Sequence, residues 1–199
     1  MNQINLLFVG VGGQGVLTAS DIAAQVGLDL GLDAKKSEVH GFSQRGGVVE
    51  SHVRWAPQVG SPTAEQGTVD VLVAFELLEA ARWLDWLRPG GDVVVNTQQI
   101  VPMSVSVGDA VYPPAEEILA ALRARARRVV IVDGLGLAEQ AGEVRAVNSV
   151  ILGALSALLD TPAQAWEEAV VRRVPARYAE VNRAAFRLGR TAARSPATV

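Results

Sequence analysis

The chain contains no cysteine. Thiolate ligation of an iron–sulfur cluster, a disulfide and a cysteine nucleophile are therefore excluded, and any cluster used with this chain must sit on another polypeptide. Histidine is nearly as scarce, with His40 and His52 the only two in 199 residues. Both fall on expected strands, so a metal site would need carboxylates from elsewhere, and a structural or surface role is the simpler reading. Aromatic residues make up 5% of the chain. Trp83, Trp86 and Trp166 read as core or subunit-interface packing rather than as cofactor-stacking platforms. No apolar run approaches the ~18 residues of a membrane helix, and no basic stretch precedes the first apolar segment, so neither a span nor a signal peptide is expected and the expected location is cytoplasmic. No serine lies in a Gly-x-Ser-x-Gly turn, which excludes an α/β-hydrolase nucleophile. Nor does either charge dominate: a formal net of −3 argues neither for nucleic acid nor for an anionic membrane, and neither is expected as a partner. The balance is uneven along the chain, since seven arginines face three glutamates from Thr161 onward. A solvated helical face explains this more simply than a docking surface does.

With 49% hydrophobic side chains, 199 residues can bury an ample core. A single domain over residues 1–190 is expected, with 191–199 as a disordered tail. Apolar strands are read at Ile4–Val9, Val69–Phe75, Val93–Val95 and Val129–Val132, and extended segments at Ala34–His40 and Val48–Trp55. Between them, Ala19, Ile22, Ala23, Val26 and Leu30 form a helical stripe. Further helices are read at Leu77–Leu87, stopped by Pro89-Gly90-Gly91, and at Ala115–Ala126. The second of these helices opens on Glu116-Glu117 after Pro113-Pro114, where the two acids favour its positive dipole end. Arg123, Arg125, Arg127 and Arg128 sit at its negative end. Beyond Asp133 every segment reads as helix. The expected class is α/β: a Rossmann-like, largely parallel sheet with helices on both faces and a helical C-terminal third.

Two glycine-rich polar segments carry the functional signal. The first, Gly10-Val11-Gly12-Gly13-Gln14-Gly15, follows a strand and opens a helix, the context of the dinucleotide fingerprint. That fingerprint also needs an acid at the end of the second strand. Asp33 lies at the start of that strand and Glu38 within a polar run, so neither is well placed. The glycines then either present backbone N–H groups to an anion at the helix N-terminus or only let a tight turn pack its helix on the sheet. The second segment is Ser37-Glu38-Val39-His40-Gly41-Phe42-Ser43-Gln44-Arg45-Gly46-Gly47. Arg45 offers a planar fork for carboxylate or phosphate, Ser43 and Gln44 add neutral hydrogen bonds, and Gly46 and Gly47 permit close approach. A polar hairpin loop is the plain alternative. Asn148, inside an apolar helix, is read as either a backbone tie or a contact to a partner or ligand.

These two segments, with Ser51-His52-Val53-Arg54 and Asn148-Ser149-Val150-Ile151-Leu152-Gly153, resemble the gamma domain of 2-oxoacid:ferredoxin oxidoreductases, and within that family the small subunit of the indolepyruvate type. The resemblance spans about residues 3 to 190. It implies a subunit of an enzyme that converts a 2-oxoacid, coenzyme A and oxidised ferredoxin into acyl-coenzyme A, carbon dioxide and reduced ferredoxin. It also implies that this chain binds no cofactor alone, and that thiamine diphosphate and [4Fe–4S] clusters belong to a large partner subunit, through which ferredoxin is met. No catalytic residue is expected here. The residues expected to contact ligand or partner are Gly12, Gly13, Gln14, Gly15, Ser43, Gln44, Arg45, Gly46, Gly47 and Asn148. His40 stands where an arginine is common in the family, and these residues do not assign the 2-oxoacid. The isolated chain is expected to self-associate where its partner surface is uncovered. On the residues alone, two other classes stay open: a free-standing NAD(P)- or FAD-dependent oxidoreductase, and a non-catalytic binding module.

Overall fold

Strand β1 (Ile4–Val11) is buried on both faces, which is why it reads as a continuous apolar run rather than an alternating one. In the computed structural model, which describes residues 3–40 and 47–194, it lies inside a six-stranded sheet. Helix α1 (Val16–Asp29) follows, then β2 (Asp33–His40), β3 (Val48–Ala56), β4 (Val69–Ala74), α2 (Leu77–Arg82) and β5 (Leu87–Asn96). A short α3 (Met103–Ser106), α4 (Ala115–Arg125) and β6 (Arg128–Val132) complete the sheet layers. The rest is helical: α5 (Gly134–Ala141), α6 (Val147–Leu158), α7 (Ala163–Arg173) and α8 (Ala179–Ala192).

The strand order is β2-β3-β1-β4-β5-β6, with β1, β4, β5 and β6 mutually parallel and β3 antiparallel to both of its neighbours. Chain length explains the reversal. Only a short connection joins β2 to β3, enough for a hairpin and too little for the crossover of a dozen or more residues that a parallel pair requires. The two faces of β1 then feed two cores. Leu6 and Phe8 join α1, α6, α7 and α8, whereas Leu7 and Val9 join α2 and α4. On the first side Trp55 and Trp166 are fully buried with ring centroids 5.7 Å apart. Trp83 and Trp86 are only half-buried, Trp86 lying 5.1 Å from the ring of His52.

The helix begun at Leu77 is shorter than its pattern suggested. It ends at Arg82, a 3-10 turn spans Leu84–Trp86, and β5 starts at Leu87. Pro89-Gly90-Gly91, read as a helix stop, lies inside β5 at a register shift against β4, where Gly90 takes φ 75°. Such an irregularity accommodates a proline that cannot donate to the ladder. Arg127 and Arg128 do not serve the dipole of α4. Both bind Asp92, with N–O distances of 2.6–3.0 Å. Burial alone would raise the Asp92 carboxyl, but the two guanidiniums outweigh it and hold it below the usual range. The late arginines are likewise engaged within the fold, Arg183 and Arg187 with Glu167 and Arg190 with the carbonyl of Ser156. Helix α8 continues to Ala192, past the expected start of the tail; residues 195–199 lie outside the described residues.

Helices α6 and α8 meet backbone to backbone. A Cβ on Gly153 would lie 2.0 Å from the Phe186 carbonyl oxygen, and one on Gly189 would lie 1.9 Å from that of Val150. Because the obstacle is main chain, neither site can yield by a rotamer change. Gly153→Ala is expected to lower stability by about 2–3 kcal/mol, the upper range for overpacking, measured as a fall in the urea midpoint at unchanged slope. An unchanged midpoint would show that the two helices slide freely.

Candidate functional site

The glycine turn leaves β1 at the carboxyl end of the parallel strands, where open α/β sheets form their crevices. Gly13 and Gly15 take φ of 104° and 79°, which side chains rarely adopt. The Gly12 N–H donates to the carbonyl of Gly47 at 2.8 Å, so the two glycine-rich segments meet. Gln14 is a strut. Its Oε1 accepts from the Val11 N–H at 2.8 Å, and its Nε2 donates to the Phe75 carbonyl at 2.8 Å and to Gln98 Oε1 at 3.0 Å. Gly10 is required beneath that strut, since a Cβ there would lie 2.8 Å from Gln14 Oε1 and 2.9 Å from the Phe75 Cβ.

Asn148 closes the other side. Its Nδ2 donates to the carbonyl of Gly15 at 3.1 Å, tying the start of α6 to the start of α1. Of the two roles left open by sequence, the backbone tie is thus observed. Asn148 also lines a cleft of about 420 Å³ with Gly13, Gln14, Gly15, Leu135 and Arg145. Neither α1 nor α6 has a side-chain cap at its N-terminus. Arg145 is exposed, with no side-chain hydrogen bond or ion pair among the described residues, and no carboxylate lines the cleft. The turn that runs into α6 is capped by Glu143, whose carboxylate accepts from the Arg145 N–H at 3.0 Å, so a carboxylate and a guanidinium stand side by side at the start of α6.

The dinucleotide reading fails on topology. Strand β3 occupies the place beside β1, and β2 is displaced to the edge. Asp33 there accepts from the Val59 N–H at 2.7 Å, and Glu38 pairs with Lys36 at 3.1 Å, both away from the turn. His52 is 1% exposed, and burial followed by the charge of Arg54 lowers its pKa, which keeps the ring neutral near pH 7. Among the described residues no group of three or more histidine and carboxylate side chains has the makings of a metal site. Ser43, Gln44, Arg45 and Gly46 lie outside the described residues.

A buried acidic pair beside the crevice went unread in the sequence. Glu76, 1% exposed, accepts from Tyr112 Oη at 2.6 Å, from the Ile100 N–H at 3.0 Å and from the Glu79 N–H at 2.8 Å. It caps α2 and anchors the connection between β5 and α4. Burial, then the Glu76 carboxylate, pushes the Tyr112 phenol well above its usual range. Burial also pushes Glu79 up, against the pull of Arg82 2.6 Å away. The available signal was Glu76-Leu77-Leu78-Glu79 directly after an apolar strand, a helix-start pattern.

Residues 5–192 match the model of the pyruvate ferredoxin/flavodoxin oxidoreductase family. The chain belongs to that family. Its relatives include a protein of Archaeoglobus fulgidus named indolepyruvate oxidoreductase subunit IorB, 39% identical over 189 residues that cover 94% of each chain. Among solved structures, the keto/oxoacid ferredoxin oxidoreductase gamma subunit of Geobacter sulfurreducens superposes with a TM-score of 0.70 at 26% identity, covering 96% of this chain and 98% of that one. The 2-oxoglutarate:ferredoxin oxidoreductase of Magnetococcus marinus shares the fold with a TM-score of 0.74 at 20% identity. That match covers 98% of this chain and 31% of the longer one.

In this family member, the Gly15–Asn148 contact can be tested by a double-mutant cycle. A Cβ on Gly15 would sit 2.2 Å from Asn148 Nδ2. Gly15→Ala is therefore expected to cost about 2–3 kcal/mol from the clash plus the left-handed backbone, and Asn148→Ala about 1 kcal/mol. With Asn148→Ala already present, Gly15→Ala should retain only the backbone cost of roughly 1–2 kcal/mol. Strict additivity in chemical denaturation would show that the two sites are independent.

Proposed function

We propose that residues 1–190 form one domain that serves as the cofactor-free small subunit of an indolepyruvate-type 2-oxoacid:ferredoxin oxidoreductase. The enzyme decarboxylates a 2-oxoacid oxidatively, transfers the acyl group to coenzyme A and passes the electrons to ferredoxin. In this reading thiamine diphosphate and [4Fe–4S] clusters are carried by a large subunit, which for the clusters accords with the absence of a thiolate from this chain. The carrying observation is the end-to-end match to the indolepyruvate subunit, in which 94% of both chains is aligned at 39% identity.

In this reading the chain shapes and closes a site whose reacting atoms lie on the partner. Gly12, Gly13, Gln14, Gly15 and Asn148, with Ser43 to Gly47, face the partner or its ligand. Arg45 holds a carboxylate or phosphate through its planar fork, a geometry lysine cannot reproduce.

The purified chain is expected to be colourless and unable to reduce a viologen dye. Combined with the large subunit, it should restore dye reduction that depends on both 2-oxoacid and coenzyme A, with indolepyruvate preferred over pyruvate. Stoichiometric flavin on the isolated chain, or dye reduction by it alone, overturns the proposal. Arg45→Ala should cost the assembled enzyme about 2–5 kcal/mol in kcat/KM or in assembly, Arg45→Lys should rescue little, and the thermal midpoint of the free subunit should stay within about 2 °C. Parent-like turnover in both variants would reduce the segment to a simple connection.

A further inference from the structure

The two edges of the sheet are unlike. Strand β2 closes one side with Lys35, Lys36 and Glu38, whereas β6, which closes the other, reads Arg-Val-Val-Ile-Val. No strand lies beyond β6 among the described residues, and Val129, Val130 and Ile131 are only half-buried, so neither layer of helices seals that edge. The Thr97 N–H donates to the Val132 carbonyl at 2.9 Å. Val132 and, by alternation, Val130 therefore turn their main-chain groups toward β5, and those of Val129 and Ile131 point away from the sheet. Such a row of unpaired groups is a template for another strand. The edge is also charged differently at its two ends. At the amino end Arg127 and Arg128 share one carboxylate, Asp92, and neither has another ion-pair partner among the described residues, which leaves a positive charge over. At the carboxyl end the exposed Asp133 accepts from the Gly136 N–H at 2.9 Å and forms no ion pair among the described residues.

We infer that two copies of this chain pair β6 to β6, antiparallel about Val130, and join their six-stranded sheets into one. An axis at Val130 sets Val129 opposite Ile131 of the second copy, and Ile131 opposite its Val129. Each outward N–H then meets an outward carbonyl, and β-branched side chains face one another in all the central pairs. Charge selects both the occupant and the direction. The antiparallel register brings Arg127 level with Asp133 of the second copy, so the surplus positive charge of each chain stands beside the unpaired carboxylate of the other. A parallel copy would set like charge on like. An edge complementary to itself in this way suits an isologous contact between identical chains. The contact is short, and association is expected to be weak and concentration-dependent. Strands β4 and β5 separate β6 from β1 and its glycine turn, so the pairing stands apart from the small-subunit reading.

The absence of cysteine makes the register directly testable. In the full chain, Val130→Cys places a single thiol on the axis, where facing Cα atoms of a non-hydrogen-bonded pair are about 4.5 Å apart and within disulfide reach. Lys35→Cys places one on the β2 edge as a control. Under mild oxidation Val130→Cys is expected to cross-link into a dimer at least about tenfold faster than Lys35→Cys. In the parent, the amides of Val129 and Ile131 should exchange more slowly as the chain is concentrated. Val129→Lys, which sets a charge on the edge, should weaken association in sedimentation by at least about tenfold while the circular dichroism stays parent-like. Equal cross-linking by the two cysteine variants overturns the inference, as does exchange at Val129 and Ile131 that ignores concentration. Should Val130→Cys fail to fold, the exchange measurement on the parent decides alone. Protection that appears only when a large subunit is added also overturns the inference, and names a strand of that subunit as the occupant.

Discussion

The carbonyl of Phe75 holds the working end of the molecule together. It accepts from Gln14 Nε2 at 2.8 Å and from Asn96 Nδ2 at 3.1 Å, while the Phe75 N–H donates to Val9 at 2.8 Å. Asn96 in turn accepts from the Gly134 N–H at 3.0 Å. One main-chain group thus joins the glycine turn, the end of β4, the end of β5 and the start of α5. A buried carbonyl must be satisfied, and two side-chain amides do so here while fixing where the glycine turn and α5 begin. The glycines follow from this arrangement. Gly10 is small because the Gln14 strut passes over it, and Gly15 is small because Asn148 does.

Local patterns carried most of the fold. Apolar strands buried on both faces, the α1 stripe and the helical run after Asp133 each declare themselves within a window of a few residues. What stayed hidden was decided by distant partners. Leu77 to Leu87 has helical spacing throughout, yet tilted ring contacts of Trp83 with Trp86, 5.6 Å apart, and of Trp86 with His52 accompany a 3-10 turn and an early return to the sheet. The insertion of β3 beside β1 is a pairing choice between segments more than thirty residues apart, which periodicity does not encode.

The candidate site was legible in kind and only partly in detail. Glycine spacing located the turn with Gln14 inside it, and the side-chain amide of Asn148 stood out against apolar neighbours. Their targets, the carbonyls of Phe75 and Gly15, are main-chain atoms without any sequence signature. Glu76 was passed over for a related reason. An acid at a helix start is ordinarily a solvated cap, and only its burial against Tyr112 makes it a strut.

The charged edge of the sheet bears on the life of the chain before assembly. Strand β2 is the outermost on its side and carries Lys35, Lys36 and Glu38. Any foreign strand pairing there would have to strip water from those charges. Edge-to-edge pairing of two copies through β2 is thereby disfavoured, which leaves the apolar strand β6, Arg128–Val132, as the edge of the sheet more open to such pairing.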